Sequence, residues 1–432
     1  MLKKLEVGKF KFNMLFHLPF WLLILLAVLA PFDQYQRDIF LGMSLQRIVF
    51  IFLVGLFCIG FIQGNRRIYF TPLIIPLILY FISHFIGAFH AEPTIAIESI
   101  LRMFGYILLF LISANLPKSR GQVISVLLVL IVSLFLVEIS AVFKMLTHKS
   151  LLGLNLIKFP QQTLHPVTFR LLGTSHNPNS FATLFVIVLP ISMCFAIAYK
   201  NFWMRLVFSL SYFFGLICLL ATQSKSGLLG VSGGLIVALV YLLRKGKNRK
   251  RLVLWVIFLP LMTLLVFNQF SGLRQINLGA RLGDKEAYKL ERDNQRIRIL
   301  TKSLKFVMAH PFGAGPGKIG EKIAEYSGSS GDEKKHSPHN MFLSEGAQNG
   351  WLGIISLILL WGLVFFHLVS GIKRSDSEFE KILILAFLSS FTAIFIHNQF
   401  HSLLGWNIVW LIIGLAFATL RMSKQSFHET VR

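Results

Sequence analysis

Long apolar runs alternate with short polar connections along most of the chain. Runs of about 18 or more apolar residues are typical of membrane-spanning helices, and such runs must be helical because lipid offers no water to backbone groups. We predict about twelve spans of this kind. Their centres lie near residues 22, 54, 80, 107, 133, 188, 212, 235, 260, 361, 389 and 412. The expected fold class is therefore all-α, a polytopic helical membrane protein.

The predicted spans divide the chain into three regions. Residues 1–270 form an N-terminal membrane region of about nine spans, residues 271–338 a long polar loop, and residues 339–432 a C-terminal membrane region of about three spans. Connections longer than about 12–15 residues are usually functional or disordered. The loop is therefore the first place to look for a functional site.

Apolar positions at helical spacing predict a helix inside this loop, from Asn294 to His310. These positions are Ile297, Leu300, Leu304, Val307 and Met308. Asp293 or Asn294 is expected to cap its start, and the Pro- and Gly-rich segment 310–317 is expected to end it. At the far end of the loop, Asn340 or Ser337 is expected to cap the next span.

The composition agrees with a membrane protein. Hydrophobic residues make up 55% of the chain, with a mean hydropathy of +0.67, and a soluble domain could not bury that much apolar surface. The three cysteines, Cys58, Cys194 and Cys218, all lie within apolar runs. We therefore expect neither a disulfide framework nor a thiolate metal site.

The net charge is +24, which in a soluble protein would suggest nucleic acid binding. Here the basic residues cluster in alternate short connections, which the positive-inside rule assigns to the cytoplasm. These clusters lie at residues 3–11, 66–67, 118–120, 200–205, 244–251, 373–374 and 421–424. Both termini are then expected in the cytoplasm and residues 271–338 outside it. No nucleic acid partner is expected, since the run 244–251 is explained as an anchor beside anionic lipid.

Residues 271–338 themselves carry 13 basic and 8 acidic residues, a net charge of +5. The positive-inside rule disfavours cations on this side, although long loops escape it in part. One interpretation is an anionic ligand such as a phosphate. The other is a solvated amphipathic helix, and both stay open.

The loop ends at His339-Asn340, followed by nine residues, Gly350, two residues and Gly353. This string resembles the motif of the O-antigen ligase and polymerase family of bacterial membrane glycosyltransferases. The many spans and the long external loop before the last three of them also resemble that family. So do three further elements: Arg296 fifteen residues before Pro311-Phe312-Gly313, the turn Thr222-Gln223-Ser224-Lys225-Ser226-Gly227, and Arg170-Leu171-Leu172-Gly173 followed by Asn177-Pro178-Asn179.

The resemblance implies a GT-C-like fold and a donor glycan carried on undecaprenyl diphosphate at the outer face of the bacterial cytoplasmic membrane. The acceptor would be a sugar hydroxyl, with no cofactor and no metal required. His339 would be the catalytic base or a hydrogen-bond donor to the diphosphate. The diphosphate-binding cations would be Arg296, Lys225, Arg170 and Arg298, with supporting parts for Asn340, Glu345, Gly350 and Gly353. Membrane lipids and other polysaccharide-assembly proteins are candidate partners.

Several alternatives stay open. We favour a repeat-unit polymerase over a ligase, because Lys225 stands where the family more often has Arg and because the Asn177-Pro178-Asn179 element resembles polymerase-type members. A flippase or other transporter would need charges facing a cavity within the membrane, for which Glu138 and Arg102 are the candidates. His397 and His401 have zinc-binding spacing, but without a third ligand a zinc site is disfavoured.

Overall fold

The computed structural model describes residues 17–32, 44–64, 68–151, 170–245, 286–328, 338–401 and 405–430, and the elements in these ranges are helices. In chain order they are α1 (His17–Phe32), α2 (Leu45–Ile62), α3 (Ile74–Ala88), α4 (Pro93–Asn115), α5 (Arg120–Thr147), α6 (Pro178–Ala198), α7 (Phe202–Thr222), α8 (Lys225–Lys245), α9 (Glu286–Ala309), α10 (Ile319–Tyr326), α11 (Met341–Arg374), α12 (Glu378–Asn398) and α13 (Asn407–Thr430).

The helices agree with the predicted spans. Eight of those described are long and apolar enough to cross a membrane, and α1, α3 and the apolar part of α13 are shorter apolar helices. Together they coincide with every predicted centre except the one near residue 260, which lies outside the described residues. The all-α polytopic membrane fold is therefore confirmed. The division into three regions stays a prediction.

Contacts between connections define two ends of the helix bundle. At one end, the Arg421 guanidinium donates to the carbonyl oxygens of Asn115 and Pro117, and Arg120 pairs with Glu380 at 2.8 Å. We call this the basic end. We call the other end the His339 end. There the segment before α6 meets the end of α7, through the bond from Leu171 N to the Ala221 oxygen. Which of the two ends faces the cytoplasm stays a prediction from the charges.

Helix α6 forms the centre of the bundle. Every residue from Phe181 to Ile197 is buried, because α7, α8 and α12 enclose it. Its sequence is apolar all round, as expected for a helix with no exposed face. The close packing of α8 on α12 depends on small residues. A Cβ on Gly230 of α8 would lie 2.6 Å from the backbone oxygen of Ala393 in α12.

The predicted loop helix is present as α9, and the turn at Pro311 ends it as expected. Its predicted start is wrong. The helix begins at Glu286 and continues through Asp293 and Asn294, so neither residue is the cap. Good helix formers in this stretch extend the helix although they continue no apolar face. Buried Phe306 and Val307 then hold the end of α9 against Ala347 of α11.

Candidate functional site at the His339 end

His339 and Asn340 lie at the start of α11. Asn340 caps the helix as predicted, since its Oδ1 accepts from the backbone N–H groups of Phe342 (3.0 Å) and Leu343 (3.1 Å). The Nδ2 of the same side chain donates to Gln399, to the backbone oxygen at 3.3 Å and to Oε1 at 3.2 Å. His339 precedes the cap with a left-handed φ of 49° and an exposed side chain. The cap therefore presents His339 at the surface of this end.

Three histidines come together here. The ring centroids of His339 and His401 are 6.2 Å apart, and those of His401 and His397 are 5.8 Å apart. Burial, with the neighbouring His397 and His339, lowers the pKa of His401 from 6.5 to about 3, so this imidazole is neutral at physiological pH. Of the residues that the structure describes, no set of three or more His, Cys, Asp or Glu side chains is placed to hold a metal ion.

Sequence reasoning considered His397 and His401 only as a zinc pair and missed their meeting with His339. His397 lies in the last turn of α12 and His401 just after it, and α11 and α12 are consecutive antiparallel spans. The start of one and the end of the other must therefore lie at the same end of the bundle. That topological step was available from the sequence.

His397 is fully buried and extends the polar group into the bundle. Its Nε2 lies 3.3 Å from the hydroxyl of Thr183 in α6, and the main chain at Asn179 and Ser226 approaches the same ring. Asn179 in turn accepts from Arg170. Polar side chains therefore follow one another from His339 past the other two histidines towards Arg170.

Arg170 joins two helix ends. Its Nε donates to the backbone oxygen of Thr222 at 2.9 Å, and its Nη2 donates to Oδ1 of Asn179 at 3.0 Å. Asn177 caps the same α6 terminus by accepting from the backbone N–H of Asn179 at 2.8 Å. The half-buried guanidinium thus holds the end of α7 beside the start of α6.

The turn between α7 and α8 places Lys225 in the first turn of α8, half-buried between buried Ser224 and Ser226. Gln223 makes the turn with a left-handed φ of 51°. The Ser224 Oγ accepts from the backbone N–H of Gly227 at 3.2 Å and so caps α8. Helix N-termini favour anions, and Lys225 adds a positive charge at this one.

Gly350 interrupts α11. Its φ of 70° and ψ of −165° lie in a region that is essentially restricted to glycine. The interruption leaves two carbonyl oxygens to be satisfied from outside the helix. Ala347 accepts from the backbone N–H of Ala314 at 2.8 Å, and Gln348 accepts from that of Gly315 at 3.0 Å.

The segment 311–315 therefore lies in the break of α11. Trp351 N donates to the Pro311 oxygen at 2.9 Å, and a Cβ on Gly350 would overlap that oxygen. Gly350, for which the sequence predicts only a supporting part, thus has this loop segment as its close neighbour. Gly353 is the position that faces a helix, since a Cβ there would lie 3.6 Å from the Ser83 hydroxyl of α3.

Glu345 faces α3, and this agrees with its predicted placement on a different helix face from His339. Its Oε2 accepts from Asn349 Nδ2 at 2.7 Å and lies 3.9 Å from His84 Nε2. The Nδ1 of His84 is 3.0 Å from the Tyr80 backbone oxygen. These contacts make Glu345 part of the α3–α11 interface.

Arg296 and Arg298 are exposed on α9. The residues that hold α9 on the bundle, Phe306 and Val307, lie about three turns further along the helix. Both arginines therefore lie on a part of α9 away from the residues that pack on the bundle. Their part in ligand binding stays a prediction.

The fold and the site define a polytopic helical membrane protein with histidines, amides and cations gathered at one end. Residues 210–358 match the family described as O-Antigen ligase. The matched stretch contains Lys225, Arg296 and His339, and it confirms the resemblance to the O-antigen ligase and polymerase family for this part of the chain. The match supports a part in polysaccharide biosynthesis of the ligase and polymerase type. A search of curated proteins finds no match.

Proposed function

We propose that this protein transfers a glycan from undecaprenyl diphosphate to a sugar hydroxyl at the outer face of the bacterial cytoplasmic membrane, and that it acts as a repeat-unit polymerase. The main support is the placement of His339 inside the family-matched region, next to His401 and at the same bundle end as Lys225 and Arg170. A base and several cations at one end suit attack by a hydroxyl on a diphosphate-activated sugar.

In the proposed step, the acceptor hydroxyl gives its proton to His339 while its oxygen attacks the anomeric carbon of the donor glycan. The bond from that carbon to the diphosphate oxygen breaks, and undecaprenyl diphosphate leaves with the electron pair. Arg296, Arg298, Lys225 and Arg170 neutralise the charge that develops on the leaving group. In a variant of this step, His339 instead donates a hydrogen bond to the diphosphate.

The proposed orientation rests on charge. The connections at the basic end contain most of the basic clusters of the chain, and the positive-inside rule assigns such connections to the cytoplasm. Both termini would then be cytoplasmic. The His339 end, with α9 and α10, would face outwards, where the lipid-linked donor is presented.

A ligase is the second candidate, and the family's description as O-Antigen ligase favours it. A ligase would move the finished chain onto lipid A core or another terminal acceptor. The polymerase assignment rests on Lys225 and on the Asn177-Pro178-Asn179 element, whose side chains cap and brace α6. Both activities use the same donor chemistry.

A flippase fits the geometry less well. Glu138 is fully buried between α5 and α7, with its carboxylate against Gly215. Arg102 is exposed on α4 and pairs with Glu98 one turn away. Neither side chain lines the cavity that residues 69–72, 367–374 and 417–423 form at the basic end, whereas a transporter needs membrane charges that face a cavity.

The glycan profile of a deletion strain tests the proposal. Loss of long polymer, with single repeats capping the lipid A core, is the expected result for a polymerase. Finished polymer that stays on undecaprenyl diphosphate would identify a ligase instead. Repeat units retained on the cytoplasmic side would refute glycan transfer and support a flippase.

A further inference from the structure

A cavity lies at the basic end, far from His339. Its volume is about 660 Å³, which is in the usual range for ligand cavities of roughly 300–1,000 Å³. It is bounded by the segment before α3, the end of α4, the last turns of α11 and the middle of α13. Tyr69, Phe70, His367, Arg374, Phe417 and Arg421 are among the residues that line it. None of the residues in the proposed transfer site takes part.

Arg421 places a fixed cation in this cavity. Its guanidinium lies 5.1 Å from the ring centroid of Tyr69, and it donates to the backbone oxygens of Pro117 at 2.6 Å and Asn115 at 3.4 Å. Its Nε is buried and has no hydrogen-bond partner in the described part of the chain. The charge is therefore held by main-chain oxygens and an aromatic face, and no carboxylate neutralises it there.

A second cation, Arg374, lies in the same cavity as Arg421. Arg374, exposed in the last turn of α11, also lines the cavity. Over the described residues, the lining contains no Asp or Glu, and the nearby Glu380 is already paired with Arg120. The polar part of the cavity is thus positively charged.

Apart from the two arginines, the lining is mainly apolar, with the uncharged polar side chains of Thr71, Ser370 and Ser423 among it. Phe417, Leu420 and Ala114 form its wall on the side towards the membrane interior. The cavity reaches His367, about two turns along α11 from Arg374. A ligand that fills it must therefore carry both an anionic group and a long apolar part.

We propose that this cavity binds one anionic phospholipid from the leaflet at the basic end. The lipid phosphate contacts Arg374 and Arg421, and an acyl chain lies along Phe417 and Leu420. Basic pockets between membrane helices are known to bind anionic headgroups. A free phosphate would leave the apolar wall unoccupied, and a zwitterionic lipid would bring a positive group to a positive site. The bound lipid would hold the ends of α4, α11 and α13 together.

The test uses the purified full-length protein in a nonionic detergent. Native mass spectrometry counts bound lipid during titration with phosphatidylglycerol or with phosphatidylcholine of the same acyl chains. Arg374→Gln removes one proposed contact, and Lys373→Gln is its matched control, since it removes the neighbouring exposed charge, which does not line the cavity. Ser370→Phe fills the cavity without changing any charge.

We expect one saturable phosphatidylglycerol site, binding at least about tenfold more weakly in Arg374→Gln and absent in Ser370→Phe. Lys373→Gln should bind like the wild type. Equal binding of the two lipids, equal effects of Arg374→Gln and Lys373→Gln, or unchanged binding by a folded Ser370→Phe would overturn the proposal. Displacement of the lipid by millimolar inorganic phosphate would also overturn it, because it would indicate a simple phosphate site.

Discussion

The side chain of Asn340 connects the start of α11 to the end of α12, through two bonds from its Nδ2 to Gln399. The same residue caps α11 with its Oδ1. Because His339 precedes Asn340 and His401 follows Gln399 by two residues, this one amide sets the separation of the two imidazoles. The asparagine of the motif is therefore a positioning residue for the candidate site.

Substitutions at Asn340 should distinguish the effect of its helix cap from the effect of its bonds to Gln399. Serine is a good N-cap but cannot reach Gln399, and alanine loses both contacts. We expect Asn340→Ala to cost about 1 kcal/mol more stability than Asn340→Ser, and both to lower the transfer rate. Thermal unfolding in detergent and transfer from a purified lipid-linked donor measure the two effects. A fully active Asn340→Ser would show that the Gln399 contact is unimportant for transfer.

His339→Ala should lower the transfer rate by at least about 100-fold, the usual contribution of a general base, while leaving the protein inserted in the membrane. The purified enzyme with a defined lipid-linked donor provides the measurement, and membrane fractionation with thermal unfolding provides the check on folding. Near-normal activity of a folded His339→Ala would refute the assignment of His339 as the base.

Arg296→Ala should likewise abolish transfer, because the variant loses a diphosphate-binding guanidinium without losing a packing contact. Arg296→Lys keeps the charge but not the fork and should recover only part of the activity. Lys305→Ala, which removes another exposed cation of α9, is the control and should remain active. Equal losses in Arg296→Ala and Lys305→Ala would point to general charge rather than a specific site.

At position 225, an arginine should be tolerated. Lys225→Arg restores the bidentate donor that the family more often has, so we expect equal or tighter donor binding. Lys225→Gln should raise the KM for the donor, since no charge is left at the start of α8. Steady-state kinetics with the lipid-linked donor give both values. An active Lys225→Gln variant with an unchanged KM for the donor would show that Lys225 does not bind the diphosphate.

His401 should make the stability of the protein depend on pH. Its pKa is lowered in the folded state, from 6.5 to about 3, so between these values the unfolded chain binds a proton that the folded protein does not. The stabilisation is fully present above about pH 6.5 and is lost as the pH falls towards 3.

The measurement is the melting temperature between pH 7.5 and roughly pH 4.5, a range chosen to lie across the titration of free histidine. His401→Gln should flatten this dependence, and the exposed His176→Gln should leave it as in the wild type. If His401→Gln and the wild type lose stability in parallel as the pH falls, the buried imidazole is not the cause.

The break in α11 should depend on glycine at position 350. Gly350→Ala places a Cβ in the Pro311 oxygen at a glycine-only conformation, so we expect a loss of more than about 2 kcal/mol. Gly362→Ala is a matched control in the same helix, because a Cβ there meets nothing within 4 Å. The control should change stability by at most about 1 kcal/mol. Thermal unfolding compares them, and equal stabilities would contradict the proposed strain.

Most of the fold was predictable, because lipid forces long apolar runs into helices. The orientation that the charges predict for the helix ends stays a prediction. The start of α9 was not predictable from periodicity, since the residues around Asp293 continue the helix through propensity and no apolar face. An apolar pattern predicts where a helix packs and is less informative about where the helix begins.

The site was predictable only in part. The cap by Asn340 follows from local chemistry, and the structure shows it. The break at Gly350 could not be predicted from local chemistry, because a glycine in an apolar helix is usually a packing position. The structure shows that the backbone of Pro311 and Ala314 occupies the gap. The meeting of His339 with His401 needed the antiparallel pairing of α11 and α12, which a motif alone does not contain.

The break at Gly350 also constrains how many residues can separate Asn340 from Gly350. One residue inserted between Asn340 and Gly350 would rotate one end of this helical segment relative to the other by about 100°. Asn340 could then not bond to Gln399 while the break at Gly350 kept its contact with the Pro311 oxygen. A redesign of this stretch must therefore keep the number of residues between Asn340 and Gly350, whichever side chains it changes.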